Sequence, residues 1–354
     1  MNLVLTPEQE QLRDTVRRLL TDRSPMRRVR EIADGADGYD PALWRQLADL
    51  GLLGLAIPEQ YGGAGSGHIE QSVVAEELGR ALTPTPFLGT VLAAGLLLAT
   101  DDEDARKDLL PRIAAGDTIA TVATNLAIAA RHDGDDHLLT GRATPVLDGD
   151  RADLVLVATG DGVFAVTADS PGLTRTRLTA LDPTRRLATL DLADAPARRL
   201  ACTDPAAATA HLADLAGVTL AAEQVGGLLR CVEMTVDYAK IRVQFGRAIG
   251  SFQAVKHGCA DMHVAGELAY SALRHATWAA DHSPAELPVA ASLAAAYCSA
   301  AYFQVAADTI QLHGGIGFTW EHDAHLYYKR AKTSELLFGD PTHHRAALAD
   351  RLGV

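Results

Sequence analysis

Residues 242–246 read Arg-Val-Gln-Phe-Gly, and residues 311–315 read Gln-Leu-His-Gly-Gly. Residues of these types suit a phosphate-bearing ligand with a flat apolar part. Arg242 carries a permanent charge on a planar guanidinium that can donate two parallel hydrogen bonds to a phosphate. Phe245 can pack on an apolar ligand face, while Gln253 and Gln311 can each donate and accept. Gly314 and Gly315 remove side chains where a backbone must come close to a ligand. Arg242 by itself would more often be half of a surface ion pair. The concurrence of the pieces is what favours a ligand.

Other chemistry finds less support. His257, His263, His313, His322, His343 and His344 are too spread for a metal triad, and His343-His344 reads as a surface pair. Cys202, Cys231, Cys259 and Cys298 contain no C-x-x-C pair, so no metal or disulfide framework is implied; they read as single buried thiols. With 48% hydrophobic and 22% charged residues over 354 positions, the composition is that of an ordinary globular protein. A formal charge of −13 disfavours nonspecific nucleic-acid binding, which needs a basic surface. The N-terminus, Met1-Asn2-Leu3-Val4-Leu5-Thr6-Pro7, lacks the basic start and apolar stretch of a signal peptide. The longest apolar run, near 91–99, is too short to span a bilayer. A cytoplasmic protein without a membrane role is expected.

Hydrophobic period divides the elements that must position these residues into three zones. Residues 1–115 read as helical. Thr6, Pro7 and Glu8 give a cap, a first-turn proline and an early acid; further helices are expected over 41–50 and 69–80, with a Pro/Gly loop at 57–63 between them. Residues 116–203 read as a small β domain, with a hairpin of 154–158 and 163–167 about Gly160-Asp161-Gly162, a turn at 170–172 and a strand at 187–192. Residues 204–354 are helical again. Leu215, Val218, Ala222, Val225, Leu229, Val232 and Val236 make one face of a long helix, followed by helices over 253–282 and 288–312. Gly226-Gly227 within the first of these costs about 1 kcal/mol per glycine relative to alanine, which points to a close helix–helix approach. An α+β fold with three zones follows.

In order along nearly the whole chain, several stretches resemble the acyl-CoA dehydrogenase family. They are 43–55 running into Pro58-Glu59-Gln60-Tyr61-Gly62-Gly63; 74–79; Ala221-Ala222-Glu223-Gln224-Val225-Gly226; 238–253; and His313-Gly314-Gly315-Ile316-Gly317-Phe318-Thr319 with Glu321-His322 and 327–332. The resemblance implies an N-terminal helical domain, a middle β domain and a C-terminal four-helix bundle. It also implies FAD as cofactor, an acyl-CoA substrate and an oligomer. In the family, Arg242, Phe245, Gln253, Gln311, His313, Gly314 and Gly315 would reach across a subunit interface to a neighbour's flavin.

Elsewhere the chain departs from the family. The reaction needs a carboxylate base beside the substrate, usually a glutamate near the C-terminus; here 336–345 read Leu-Leu-Phe-Gly-Asp-Pro-Thr-His-His-Arg. The alternative position, on the first long C-terminal helix, falls at Ala216. Two carboxylates remain as catalytic candidates: Asp340, about one residue from the usual position, and Asp214, which matches an aspartate near the bound thioester. The arginine expected after Asp214 is replaced by Gly217. The flavin-ring motifs of the middle domain are missing at 121–126 and 143–149.

The resemblance therefore favours a shortened subunit in a heterotetramer with a full-length acyl-CoA dehydrogenase subunit. This chain would lend FAD contacts, and the partner would hold the base that desaturates the thioester. A stand-alone enzyme using Asp340 or Asp214, and a non-catalytic structural partner, are the alternatives.

Overall fold

The computed structural model describes residues 3–124, 127–133 and 136–354, without the side chains of residues 133 and 136. Met1, Asn2, Asn125 and Leu126 lie outside the described residues. In chain order come α1 (Pro7–Arg23), α2 (Met26–Asp34), α3 (Pro41–Asp49), α4 (His68–Arg80), α5 (Phe87–Ala99) and α6 (Glu103–Ala114). Seven strands follow: β1 (Ala120–Thr124), β2 (Ala129–Asp133), β3 (Asp136–Leu147), β4 (Leu154–Thr159), β5 (Gly162–Thr167), β6 (Leu173–Arg177) and β7 (Leu187–Leu200). Then come α7 (Pro205–Ile241), a short hairpin of β8 (Val243–Gln244) and β9 (Arg247–Ala248), α8 (Gln253–His282), α9 (Leu287–His313), α10 (Ala324–Leu336) and α11 (Pro341–Leu352). The fold is α+β, as expected.

Contacts divide the chain into two compact units. One comprises Met1–Arg30, Ser72–Thr83 and Gly217–Val354; the other comprises Glu31–Gln71 and Pro84–Ala216.

In the second unit, Asp40 caps α3 by accepting from the backbone of Ala42 and Leu43. The Trp44 indole in that helix donates to the Gly116 carbonyl at 3.0 Å. The sheet runs β1-β4-β5-β7-β3-β2, with β6 beside β7. β1 and β4 are parallel, and the other pairs are antiparallel. Every residue of β4 is buried, which accounts for its unbroken apolar run. Helix α5 is apolar all round and lies on β1, where the Thr90 hydroxyl donates to the Ala120 carbonyl at 3.1 Å.

The first unit is a helical assembly about α7 and α9. Gly226 is a contact point: a Cβ there would lie 1.8 Å from the Glu76 carbonyl oxygen. A Cβ on Gly227 would lie 2.4 Å from the Tyr302 hydroxyl. The paired glycines therefore admit two neighbours to the backbone of α7, as their helix cost implied. Alanines 290, 291, 294, 295 and 296 are buried along α9. The buried carboxylate of Glu77 takes Arg17 of α1 at 2.6 Å, and that of Glu76 takes Arg274 of α8. Among the described residues two helices, Pro205–Ile241 and Leu287–Phe318, are long and apolar enough to cross a membrane. Buried residues make up 89% and 67% of their most apolar windows, the pattern of core helices.

Candidate functional site

At the C-terminal end of α7 the chain turns sharply. Phe245 and Gly246 have φ of +51° and +75°, the pair of left-handed residues that a two-residue type I′ hairpin demands. β8 and β9 flank them, with Val243 opposite Ala248 and Gln244 opposite Arg247. The Ile249 amide returns to the Arg242 carbonyl at 2.8 Å, which pins the hairpin to its helix. Its tip is left in the open, with Phe245 92% exposed. Phe245 meets Phe252 edge to face at 6.1 Å, and the Arg247 guanidinium lies over Phe252 at 4.1 Å. Arg242 is exposed and makes no ion pair among the described residues.

The second motif closes on the same end of this unit. Tyr238, one turn before Arg242, stacks on His313. A Cβ on Gly258, near the start of α8, would meet Leu312 at 3.3 Å. His313 ends α9, and Gly314 then takes φ +64°. Around Gly314 and Gly315 an added Cβ meets nothing within 4 Å, so both leave open space. Gln253, at the first position of α8, and Gln311 are exposed. His313 is different. Its ring is 4% exposed, its Nδ1 donates to the Thr309 carbonyl at 2.7 Å, and it touches His322. The ring is built into the fold beside the glycine turn.

Tyr238, Arg247 and Phe252 were not singled out from the sequence. The signal for Tyr238 was available: it lies four residues before Arg242, on the same face of one helix.

The two carboxylates belong to different units. Asp340 is exposed at the start of α11, where its side chain accepts from the His343 amide at 2.8 Å. That bond holds its carboxyl below the usual range. Asp214 is 6% exposed on α7. It acts on His211, one turn earlier, opposing the downward push that burial exerts on that imidazole. His211 and Leu215 line a cavity of about 100 Å³ with Leu53, His68, Gln71 and Val91. Among the described residues no group of three His, Cys, Asp or Glu side chains is placed to hold a metal.

Known proteins share this architecture and sequence. Residues 6–117 match the acyl-CoA dehydrogenase N-terminal domain, and residues 209–353 match the acyl-CoA dehydrogenase C-terminal domain. The acyl-CoA dehydrogenase IpdE2 of Mycobacterium tuberculosis is 40% identical over 95% of both chains. IpdE2 of Mycolicibacterium smegmatis is 39% identical over 95% of this chain and 96% of its own. Among solved structures, a chain of the ChsE4-ChsE5 complex from Mycobacterium tuberculosis superposes with a TM-score of 0.92 at 31% identity, covering 100% of this chain and 99% of that one. A chain of the Tcur3481-Tcur3483 steroid ACAD gives a TM-score of 0.90 at 32% identity over 98% of both. The protein belongs to the acyl-CoA dehydrogenase family, oxidoreductases that act on CH–CH bonds.

Proposed function

We propose that this chain is a subunit of a flavin-dependent acyl-CoA dehydrogenase, that it lends contacts to FAD held by a partner subunit, and that the partner supplies the catalytic base. One observation carries the reading: Arg242, Phe245, Gln253, Gln311, Gly314 and Gly315 all stand exposed at one end of one unit. The set fits FAD. An unpaired guanidinium suits a pyrophosphate, an open glycine turn admits backbone close to a ligand, and an exposed phenyl suits a flat ring. When bound, FAD supplies the hydride acceptor for desaturation of the thioester. Arg242 would neutralise phosphate charge, Gln253 and Gln311 would orient polar edges, and Phe245 would exclude water from an apolar face. His313 would hold the glycine turn in place.

Two further facts favour a partner for the proton step. Asp340 is engaged as a helix cap, and positions 216 and 336–339 hold no carboxylate. The likeness to chains of the ChsE4-ChsE5 complex and of a steroid ACAD favours a heteromer acting on a bulky ring-bearing thioester. The test is to purify the chain alone and co-expressed with the product of an adjacent gene. Flavin should appear only in the complex; stoichiometric flavin and dehydrogenase activity in the isolated chain would overturn the proposal.

A stand-alone enzyme is the second reading, favoured by the buried Asp214 beside the cavity at His211. It requires Asp214→Asn to abolish turnover by a homo-oligomer.

A further inference from the structure

A hollow of about 290 Å³ opens within the first unit, lined from α1, α4, α7 and α10 and by Met26. That volume is near the lower end for small-molecule sites. Arg17, Arg80 and Arg230 line it with Glu77 and Asp323, while Leu20, Met26 and Met234 supply apolar wall.

The carboxylates are already engaged. Glu77 accepts from Nε and Nη2 of Arg17 at 2.9 and 2.6 Å. Both oxygens of Glu233 accept from Arg80, and one also accepts from Nη1 of Arg230 at 3.3 Å. Asp323 accepts from Arg30 at 2.7 Å.

The donors are in surplus. Nη1 of Arg17, Nε of Arg80, and Nε and Nη2 of Arg230 have no acceptor among the described residues. In the lining itself, the guanidinium groups of Arg17, Arg80 and Arg230 are set against the carboxylates of Glu77 and Asp323. Such a lining is richer in charged donors than in carboxylate acceptors, and an oxyanion supplies acceptors. Arg230 is the movable member: its side chain is 38% exposed, and its link to Glu233 spans one turn of its own helix.

We propose that this hollow binds a small organic oxyanion, a phosphate ester or a dicarboxylate, through Arg230 with Arg17 and Arg80, its carbon skeleton lying on Met26 and Met234. The site is built from residues other than the Arg242 surface and stands whether or not that surface holds flavin.

The experiment is calorimetric titration of the full-length chain with glycerol phosphate, inorganic phosphate and succinate, against sodium chloride at matched ionic strength. One site per chain with millimolar or tighter Kd is expected for at least one oxyanion. Tighter binding of the phosphates assigns a phosphate ester, and tighter binding of succinate assigns a dicarboxylate. Arg230→Gln should weaken binding at least tenfold. Met234→Trp, which fills the hollow and keeps every arginine, should abolish it; circular dichroism confirms that both variants fold. Heats equal to those of chloride for all three oxyanions, or unchanged binding by folded Arg230→Gln, overturn the proposal.

Discussion

The imidazole of His313 lies on the ring of Tyr238, with centroids 4.5 Å apart and planes 23° from parallel. Burial holds the pKa of His313 below its ordinary value; the Thr309 carbonyl opposes that shift, and His322 adds to it. The unfolded chain therefore takes up its proton first as pH falls through about 6.5. The stabilisation from a neutral His313 is complete above that pH and is lost as pH falls toward the folded value. Thermal melting at pH 7.5, 6.5 and 5.5 should show a declining Tm, and His313→Gln should shrink the decline. An identical pH profile in the variant would count against this role.

Arg242→Ala should leave the fold of the isolated chain intact, because the side chain is exposed and without an ion pair. In a co-expressed complex it should lower flavin per complex by tenfold or more, read from the visible absorbance. Unchanged flavin content would support a purely structural partnership.

Gly226→Ala should destabilise the protein by about 1–3 kcal/mol, the usual cost of overpacking, seen as a Tm several degrees lower. The atom it would meet is the Glu76 backbone oxygen, which cannot swing aside as a side chain can. Gly217→Ala on the same helix is the control. Its Cβ would meet Ala295 at 3.5 Å and the Ala291 carbonyl oxygen at 3.6 Å, ordinary contacts. A gain of about 0.4–1 kcal/mol is expected there from a less flexible unfolded chain.

Asp340→Ala should remove a helix cap and leave the turnover of any active complex unchanged. Its carboxyl is held below the usual range by the His343 amide, so its contribution is present above the ordinary carboxylate pKa. That contribution is lost as pH falls through the lower folded value. The Tm gap between wild type and variant should be open at pH 7 and closed in strong acid. Loss of turnover at neutral pH without loss of fold would restore Asp340 as a base candidate.

What could be read from sequence depended on whether burial left a periodic trace. Helix α8 begins and ends where its pattern does, and α9 lies within one residue at each end, because one face of each is buried over many turns. The hairpin of β4 and β5 was also legible, both strands being nearly continuous apolar runs. β6 was not: Leu173-Thr174-Arg175-Thr176-Arg177 is an exposed or half-exposed edge with no apolar face. β7 runs on to Leu200, past the expected 192, because the buried positions of its second half are mostly alanines, Ala195 and Ala197, with Pro196 between them, so the apolar alternation fades. At the candidate site, Arg242 and Gly314 could be named from chemistry. The burial of His313 could not, since its contacts come from Tyr238 and His322, residues 75 positions before and nine after it. Asp214 and Asp340 look alike as letters; only packing distinguishes a buried helix acid from an exposed cap.

The division of the chain has a consequence for biosynthesis. The second unit is contiguous apart from one excursion and ends at Ala216, whereas the first needs α1, the Ser72–Thr83 segment and everything from Gly217 to Val354. On a ribosome, the inner unit can be complete while more than a third of the chain is unmade. Helix α1 emerges first and must wait for α7 and α10 before its unit can close. The closing contacts span almost the entire sequence, as Arg30 to Asp323 does, and contacts of such separation make folding slow. Until they form, the nascent chain displays the apolar faces of α1 and of the later helices, a window in which chaperones would engage it.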